Sequence, residues 1–257
     1  MIELYAHPAS QPSRSVLWLC ALNKMPARIH YDPTKNLSDL NPRAQIPVLV
    51  DGDFTLSEMP AILAYLADVN EWSDWYPQNI QSRARIQQYL HAHHTLTRLA
   101  TLKLMAPHVL VAFEAPPTNN PTSVLSNAAI ASAMTDEHKL ATGQNTMRAV
   151  IAVIEAQYLA GPGNFIGGLH KPSIADLACY EEIAQLLWAN LFTLEQFPAT
   201  SKWLGEMAAL PQHEPMHRYN LALGGIATEA NTMQRMMSAI GEGLHALTEV
   251  GFSLDQG

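Results

Sequence analysis

Short apolar runs and helical stripes alternate from residue 1 to about residue 69. Ile2 to Ala6 reads as a strand, and His7-Pro8-Ala9-Ser10-Gln11-Pro12 as a turn whose last proline suits the first turn of a helix. That helix puts Val16, Leu17, Cys20 and Ala21 on its inner face, and Met25-Pro26 closes it. Arg28 to Tyr31 is a second strand, followed by room for one helical turn near Leu37-Ser38-Asp39-Leu40. Val48, Leu49 and Val50 are β-formers, and Asp51-Gly52 turns them into a hairpin with a second short strand. Ile62, Leu63 and Leu66 then fall on one face of a helix.

This β-α-β then β-β-α order predicts a thioredoxin-like α/β domain over 1–69. Between Val69 and Gln81 the composition turns to Asn, Trp, Ser, Pro and Gln, which marks a linker over 70–80. Everything beyond reads as helix and loop, an all-α domain over 81–257 with a C-terminal helix. Ile80 to Met105 is one long helical segment, and the three prolines of Pro116 to Pro121 make a loop. Thr135 to Leu159 is helical, weakened by Gly143, until Gly161-Pro162-Gly163 breaks it. Further helices start at Ser173 and near Thr200, and a last one spans roughly Thr228 to Thr248.

The composition narrows the choice of function. At 257 residues, 48% of them apolar, the chain has ample core for a globular protein. A formal charge of −8, with 15 Lys and Arg and no basic run, is the wrong sign for nucleic-acid binding. Cys20 and Cys179 lie far apart among apolar neighbours, which suits two buried thiols in a reducing compartment. The apolar run from Val16 to Leu22 is too short to span a bilayer, and charged and proline residues precede it. A soluble, cytoplasmic protein with no membrane segment is expected.

Pro47 opens the hairpin although a proline cannot donate to a ladder, so an edge or a cis turn is expected there, with free backbone groups at Ile46. Beside a helix N-terminus at Ser57-Glu58, such groups suit a peptide-like anion. Ser10 stands at the strand-to-helix junction, where an N-cap is the ordinary role of a serine. The same position suits a hydroxyl that meets a thiolate, because helix N-termini lower thiol pKa values.

Gln45-Ile46-Pro47 with Ser57-Glu58, Ser10-Gln11-Pro12-Ser13-Arg14, and Trp75-Tyr76-Pro77-Gln78 through Tyr89-Leu90 resemble the glutathione transferase family, in its theta class. The resemblance implies that the chain conjugates glutathione to a small apolar electrophile, a detoxification chemistry, as a homodimer. It implies that Ser10 hydrogen-bonds the glutathione sulfur, with Ser13 as the competing hydroxyl. It aligns Arg98 with an arginine that approaches that sulfur, the alternative being a solvated or salt-bridged helix Arg. Glutathione, the co-substrate, is then held by Gln11, Gln45, Ile46, Pro47, Glu58 and Met59. A binding or scaffold protein without turnover is the alternative function, since a fold does not fix an activity.

Two departures from the family pattern favour that alternative. Glu58-Met59 replaces the usual Glu-Ser, which removes the hydroxyl for the γ-glutamyl carboxylate. The segment from Met25-Pro26 to Ile46-Pro47 is short, and Asn36 stands in place of a family histidine at the glycyl end. Other groups read as structural. Ser173 and Asp176 form a capping box that starts a buried helix. His91, His93 and His94 read as a surface or interface cluster and not as a metal site, because no third ligand has the spacing. Met233, Met236 and Met237 line either core or an adaptable pocket.

Overall fold

A computed structural model describes residues 1–32, 37–110, 137–229 and 231–255. The predicted loop at Pro116–Pro121, the first two residues of the helix expected from Thr135, and Asn36 lie outside them.

The N-terminal part follows the sequence pattern: β1 Ile2–Tyr5, α1 Gln11–Leu22, β2 Ala27–His30, the single turn α2 Leu37–Leu40, β3 Val48–Asp51, β4 Phe54–Ser57 and α3 Met59–Val69. The strands form one mixed sheet. β2 runs parallel to β1, β3 antiparallel to β1, and β4 antiparallel to β3, with Asp51 facing Phe54 across the turn. Gly52 supplies the positive φ of 63° that this turn requires. α1 and α3 cover one face and pack on each other, with Val16, Leu17, Leu19, Ile62, Leu63 and Leu66 fully buried. This is the expected thioredoxin-like α/β unit.

The helical part starts at α4 Ile80–His93, capped by Asn79, whose side chain accepts the N–H groups of Gln81 and Ser82. The long segment expected from Ile80 is one rod with an irregularity. α4 passes through a π-helical turn, His94–Arg98, into α5 Leu99–Leu110. Next come α6 Glu137–Val153 with a π-helical turn Ile154–Tyr158, α7 Ile174–Trp188, α8 Pro198–Ala208, α9 His213–Leu223 and α10 Met233–Glu249. α7 is the central helix, and thirteen of its residues are buried. Its capping box is in place. Asp176 accepts the Ser173 N–H at 2.7 Å, and also the Ile166 N–H and the Trp203 indole N–H. Burial pushes Asp176 up to about 6, against the pull of those donors.

Two sequence expectations change. The region after the linker is not only helix and loop, because β5 Ser253–Asp255 returns to the sheet and pairs parallel with β2, giving the order β4-β3-β1-β2-β5. Three residues carry too weak an alternation to announce a strand. α9 went unseen, merged with its neighbours. The linker is packed: Tyr76 is buried beneath the Arg83 guanidinium, and the Trp75 carbonyl accepts the Ile174 N–H at 3.0 Å. Among the described residues no helix is long and apolar enough to cross a membrane.

Candidate functional site

Ser10 is the N-cap of α1, with extended backbone (φ −91°, ψ 118°). Its Oγ accepts the Ser13 N–H at 3.4 Å, and its carbonyl accepts the Arg14 N–H. A serine oxygen used only as an acceptor keeps its own O–H free to donate. Gln11, Pro12 and Ser13 make up the first helical turn, which contains no acidic residue to compete for the N–H groups or the positive end of the dipole. An anion placed against Ser10 therefore meets one hydroxyl and an unneutralised helix end. Ser13 differs. Its side chain is 0% exposed, and its Oγ has no partner among the described residues. The Ser13 hydroxyl is sealed from solvent as the structure stands.

The turn leading into Ser10 is held from both ends. The Ser10 N–H donates to the His7 carbonyl, and the Ala9 N–H donates to His7 Nδ1 at 3.1 Å. Burial and the nearby Arg14 charge push His7 down to about 4, so its ring stays neutral and Nδ1 remains an acceptor. α10 crosses behind this turn at Gly243, where a Cβ would come within 3.0 Å of both Pro8 and Tyr219. Only the absence of a side chain lets the last helix approach so closely.

Behind Ser10, α1 and α7 meet in a buried polar seam. Arg14, 1% exposed, donates through Nε to Glu181 at 2.6 Å and through Nη1 to the Pro8 carbonyl. Glu181 also takes His217 Nε2 at 2.8 Å, while His217 Nδ1 meets the His213 carbonyl at 2.6 Å. Both ring nitrogens face oxygen atoms. Burial opposes the Glu181 charge, but His217 and Arg14 outweigh it and hold the carboxyl below its usual range. Next along α7, Glu182 takes Arg98 Nη1 at 2.8 Å. Gln11 Nε2 donates to Gln185 Oε1 at 2.9 Å. Arg98 thus sits in a bridge to Glu182, while 23% of its side chain stays exposed.

The other expected ligand groups lie at the hairpin. The Ile46–Pro47 bond is cis. Among the described residues, nothing pairs with the backbone N–H or carbonyl of Ile46. Gln45 is exposed, on a loop shaped by Asn41, whose side chain donates to the Gln45 carbonyl and accepts the Arg43 N–H. Glu58, with φ 73°, precedes α3 without a side-chain cap. Its carboxylate takes Arg43 Nη1 at 2.7 Å, with His94 Nε2 at 3.7 Å. Met59 offers no side chain to a ligand here. Its side chain is 2% exposed and belongs to the core, so only its backbone N–H at the start of α3 is offered to a ligand.

One further expectation is corrected. His93 is not at the surface. It is 0% exposed, near Tyr89, and burial pushes it down to about 3. Of the methionines, Met236 is buried, whereas Met233 and Met237 are 41% and 56% exposed. Among the described residues no group of His, Cys, Asp or Glu has the arrangement a metal needs. Cys20 and Cys179 are free and buried, and burial raises both thiols, Cys20 to about 12. An open hollow of about 540 Å³, lined by Leu187, Leu194, Pro198 and Leu204, lies between α7 and α8 and includes none of the expected site residues. The sequence reading gave no role to Glu181, Glu182 or Gln185. Two adjacent acids inside the apolar run Leu177 to Leu186 were the available signal, because buried carboxylates require partners.

Comparison with known proteins follows the same lines. Residues 9–69 match the family model described as "Glutathione S-transferase, N-terminal domain". "Glutathione S-transferase theta-1" of Mus musculus is 30% identical over 222 residues, 81% of this chain and 83% of the relative. "Glutathione S-transferase T3" of Arabidopsis thaliana is 31% identical over 194 residues, 72% of this chain but only 30% of that longer protein. The structure of "Human glutathione-S-transferase T1-1, apo form" superposes with a TM-score of 0.72 at 26% identity, covering 96% of this chain and all of that one.

Proposed function

The chain belongs to the glutathione transferase family and is theta-class-like, and from that premise we propose that it conjugates glutathione to a small apolar electrophile. The observation that carries the proposal is Ser10: a half-buried hydroxyl with a free proton at a helix end that has no competing acid. The glutathione sulfur lies there as a thiolate, accepts the Ser10 hydrogen, and attacks an electrophilic carbon. The new S–C bond forms as the leaving group departs with its electron pair, and the thiol proton goes to solvent. Catalysis comes from thiolate stabilisation and positioning, without a covalent enzyme intermediate. Arg98 adds positive charge beside the sulfur, and Gln11 lines the approach.

The peptide part of glutathione extends along Gln45, Ile46 and Pro47, using the unpaired backbone groups of Ile46. Its γ-glutamyl end meets the Glu58 carboxylate through the ammonium and the α3 N-terminus at Met59 through the carboxylate. Residues 1–69 hold glutathione, 70–80 connect, and 81–257 provide the electrophile pocket. The protein acts in the cytoplasm as a homodimer.

A second reading, binding without turnover, is favoured by one specific feature. At the γ-glutamyl end Met59 is core, and Glu58 is already engaged by Arg43. Incubation with glutathione and a benzyl halide, with the conjugate followed by mass spectrometry, separates the two. Conjugation well above the protein-free rate, lost in Ser10→Ala, supports the transferase. Retention on immobilised glutathione without any rate supports the binding protein.

A further inference from the structure

Glu181 and Glu182 stand side by side in α7, 0% and 1% exposed, and each holds an arginine from a different element. Glu181 joins α1 to α7 through Arg14. Glu182 reaches the other way, to Arg98 at the end of the π-helical turn between α4 and α5. Such turns shift the register of a helix and recur at functional sites. Only one nitrogen of the Arg98 fork is used. Among the described residues Nη1 alone has a partner, and the side chain is 23% exposed.

The second Glu182 oxygen leads back to Ser10. Oε2 accepts Gln185 Nε2 at 3.4 Å, and Gln185 Oε1 accepts Gln11 Nε2 at 2.9 Å. Gln11 is the first residue of α1, next to the capping hydroxyl. One buried carboxylate therefore ties the partly exposed Arg98 of the helical part to the helix end at Ser10.

We propose that Glu182 is a positioning residue of the sulfur site, fixing the Arg98 guanidinium against the N-terminus of α1, and this rests on the reading of Arg98 as the cation beside the thiolate. A purely structural role predicts only a stability loss when Glu182 is replaced. A positioning role also predicts a change in the thiol of bound glutathione. The charged and titratable groups around Glu182 are Arg98 and His93, the latter with Nε2 at 3.8 Å, Arg14 from α1, its neighbour Glu181, and Tyr89 and Cys179. Removing the Glu182 charge alters the field at the sulfur in any case, so the test must separate charge from position.

Glu182→Gln and Glu182→Leu both remove the charge, and only leucine removes the acceptor that holds Arg98. The thiolate absorbance of bound glutathione is titrated against pH in both full-length variants, alone and combined with Arg98→Met. The expected result is a thiol value about one pKa unit higher in the leucine protein, about tenfold less thiolate at a given pH, with the difference gone in the Arg98→Met pair. Equal values in the two single variants overturn the proposal, because charge alone then suffices. A difference that persists without Arg98 overturns it as well, because Glu182 then acts through Gln185. Should the leucine protein not fold, Glu182→Asp keeps the charge and withdraws the acceptor by one methylene. A thiol value above wild type supports positioning, and an unchanged value refutes it. If wild type shows no glutathione binding, the transferase reading itself fails, an outcome distinct from binding with an indifferent thiol.

Discussion

The two ends of the proposed glutathione site are built differently. At the sulfur end, Ser10 is backed by Arg14, Glu181, His217, Glu182 and Gln185, all buried and held in two hydrogen-bonded chains that link α7 to α1 and α9. At the γ-glutamyl end, Glu58 and Arg43 form a pair 46% and 50% exposed, and the position where the family places a hydroxyl is filled by the buried Met59. The first arrangement fixes geometry, because each charge has only one place to go. The second is open to water and to rearrangement. A chain can therefore keep the chemistry that activates a thiol while loosening the grip on the amino-acid end that delivers it.

The largest expected effect comes from breaking the seam. Glu181→Ala leaves Arg14 and His217 buried without their carboxylate, and losing one partner of a buried pair costs about 3–5 kcal/mol. Denaturant unfolding will show that loss; a cost under about 1 kcal/mol would mean that the seam is not what fixes α1 on α7. Next is the sulfur contact. Ser10→Ala lowers glutathione-dependent turnover about tenfold or more, some 1.4 kcal/mol on the barrier, while Ser13→Ala leaves it within about twofold. Steady-state rates of both variants decide this, and a larger effect at Ser13 would move the reacting hydroxyl to a side chain that is now sealed.

How far these assignments were legible in the sequence follows the same division. Ser10, the Asp51-Gly52 turn and the Ser173–Asp176 box announce themselves because each is a local rule, satisfied within a few residues. The seam is non-local. Arg14 to Glu181 spans 167 positions, and Gln11 to Gln185 spans 174. No periodicity reports which arginine a buried glutamate will find. β5 was invisible for a related reason, since three residues become a strand only because the edge of β2 is there to receive them. Met59 stood out because of what it replaces in the family. Its burial depends on the core beneath α3, which the sequence pattern showed but did not extend to the first residue of the helix.

The smaller effects sharpen the γ-glutamyl side. Met59→Ser restores a hydroxyl at the start of α3 and tightens glutathione binding by roughly 1 kcal/mol, about fivefold, while thinning the core beneath it. Calorimetry on both proteins reads the first effect and thermal unfolding the second; tight wild-type binding unchanged by the substitution would mean that another group holds the carboxylate. Arg43→Ala is expected to matter least. An exposed pair contributes under about 1 kcal/mol, so stability should hardly move, and added salt should mimic the mutation. A large loss of stability would mean that the loop around Asn41 depends on this bridge.

The contrast between the two ends meets its most direct test in glutathione binding by the unmodified protein, followed at once by calorimetry and by the pH titration of thiolate absorbance. A tight sulfur end and a loose amino-acid end predict weak but saturable binding, with the bound thiol titrating about one unit or more below the value of about 8.5 for a free thiol. Tight binding with a thiol that titrates like the free one would contradict this outright, because the site would then grip the peptide and leave the sulfur alone.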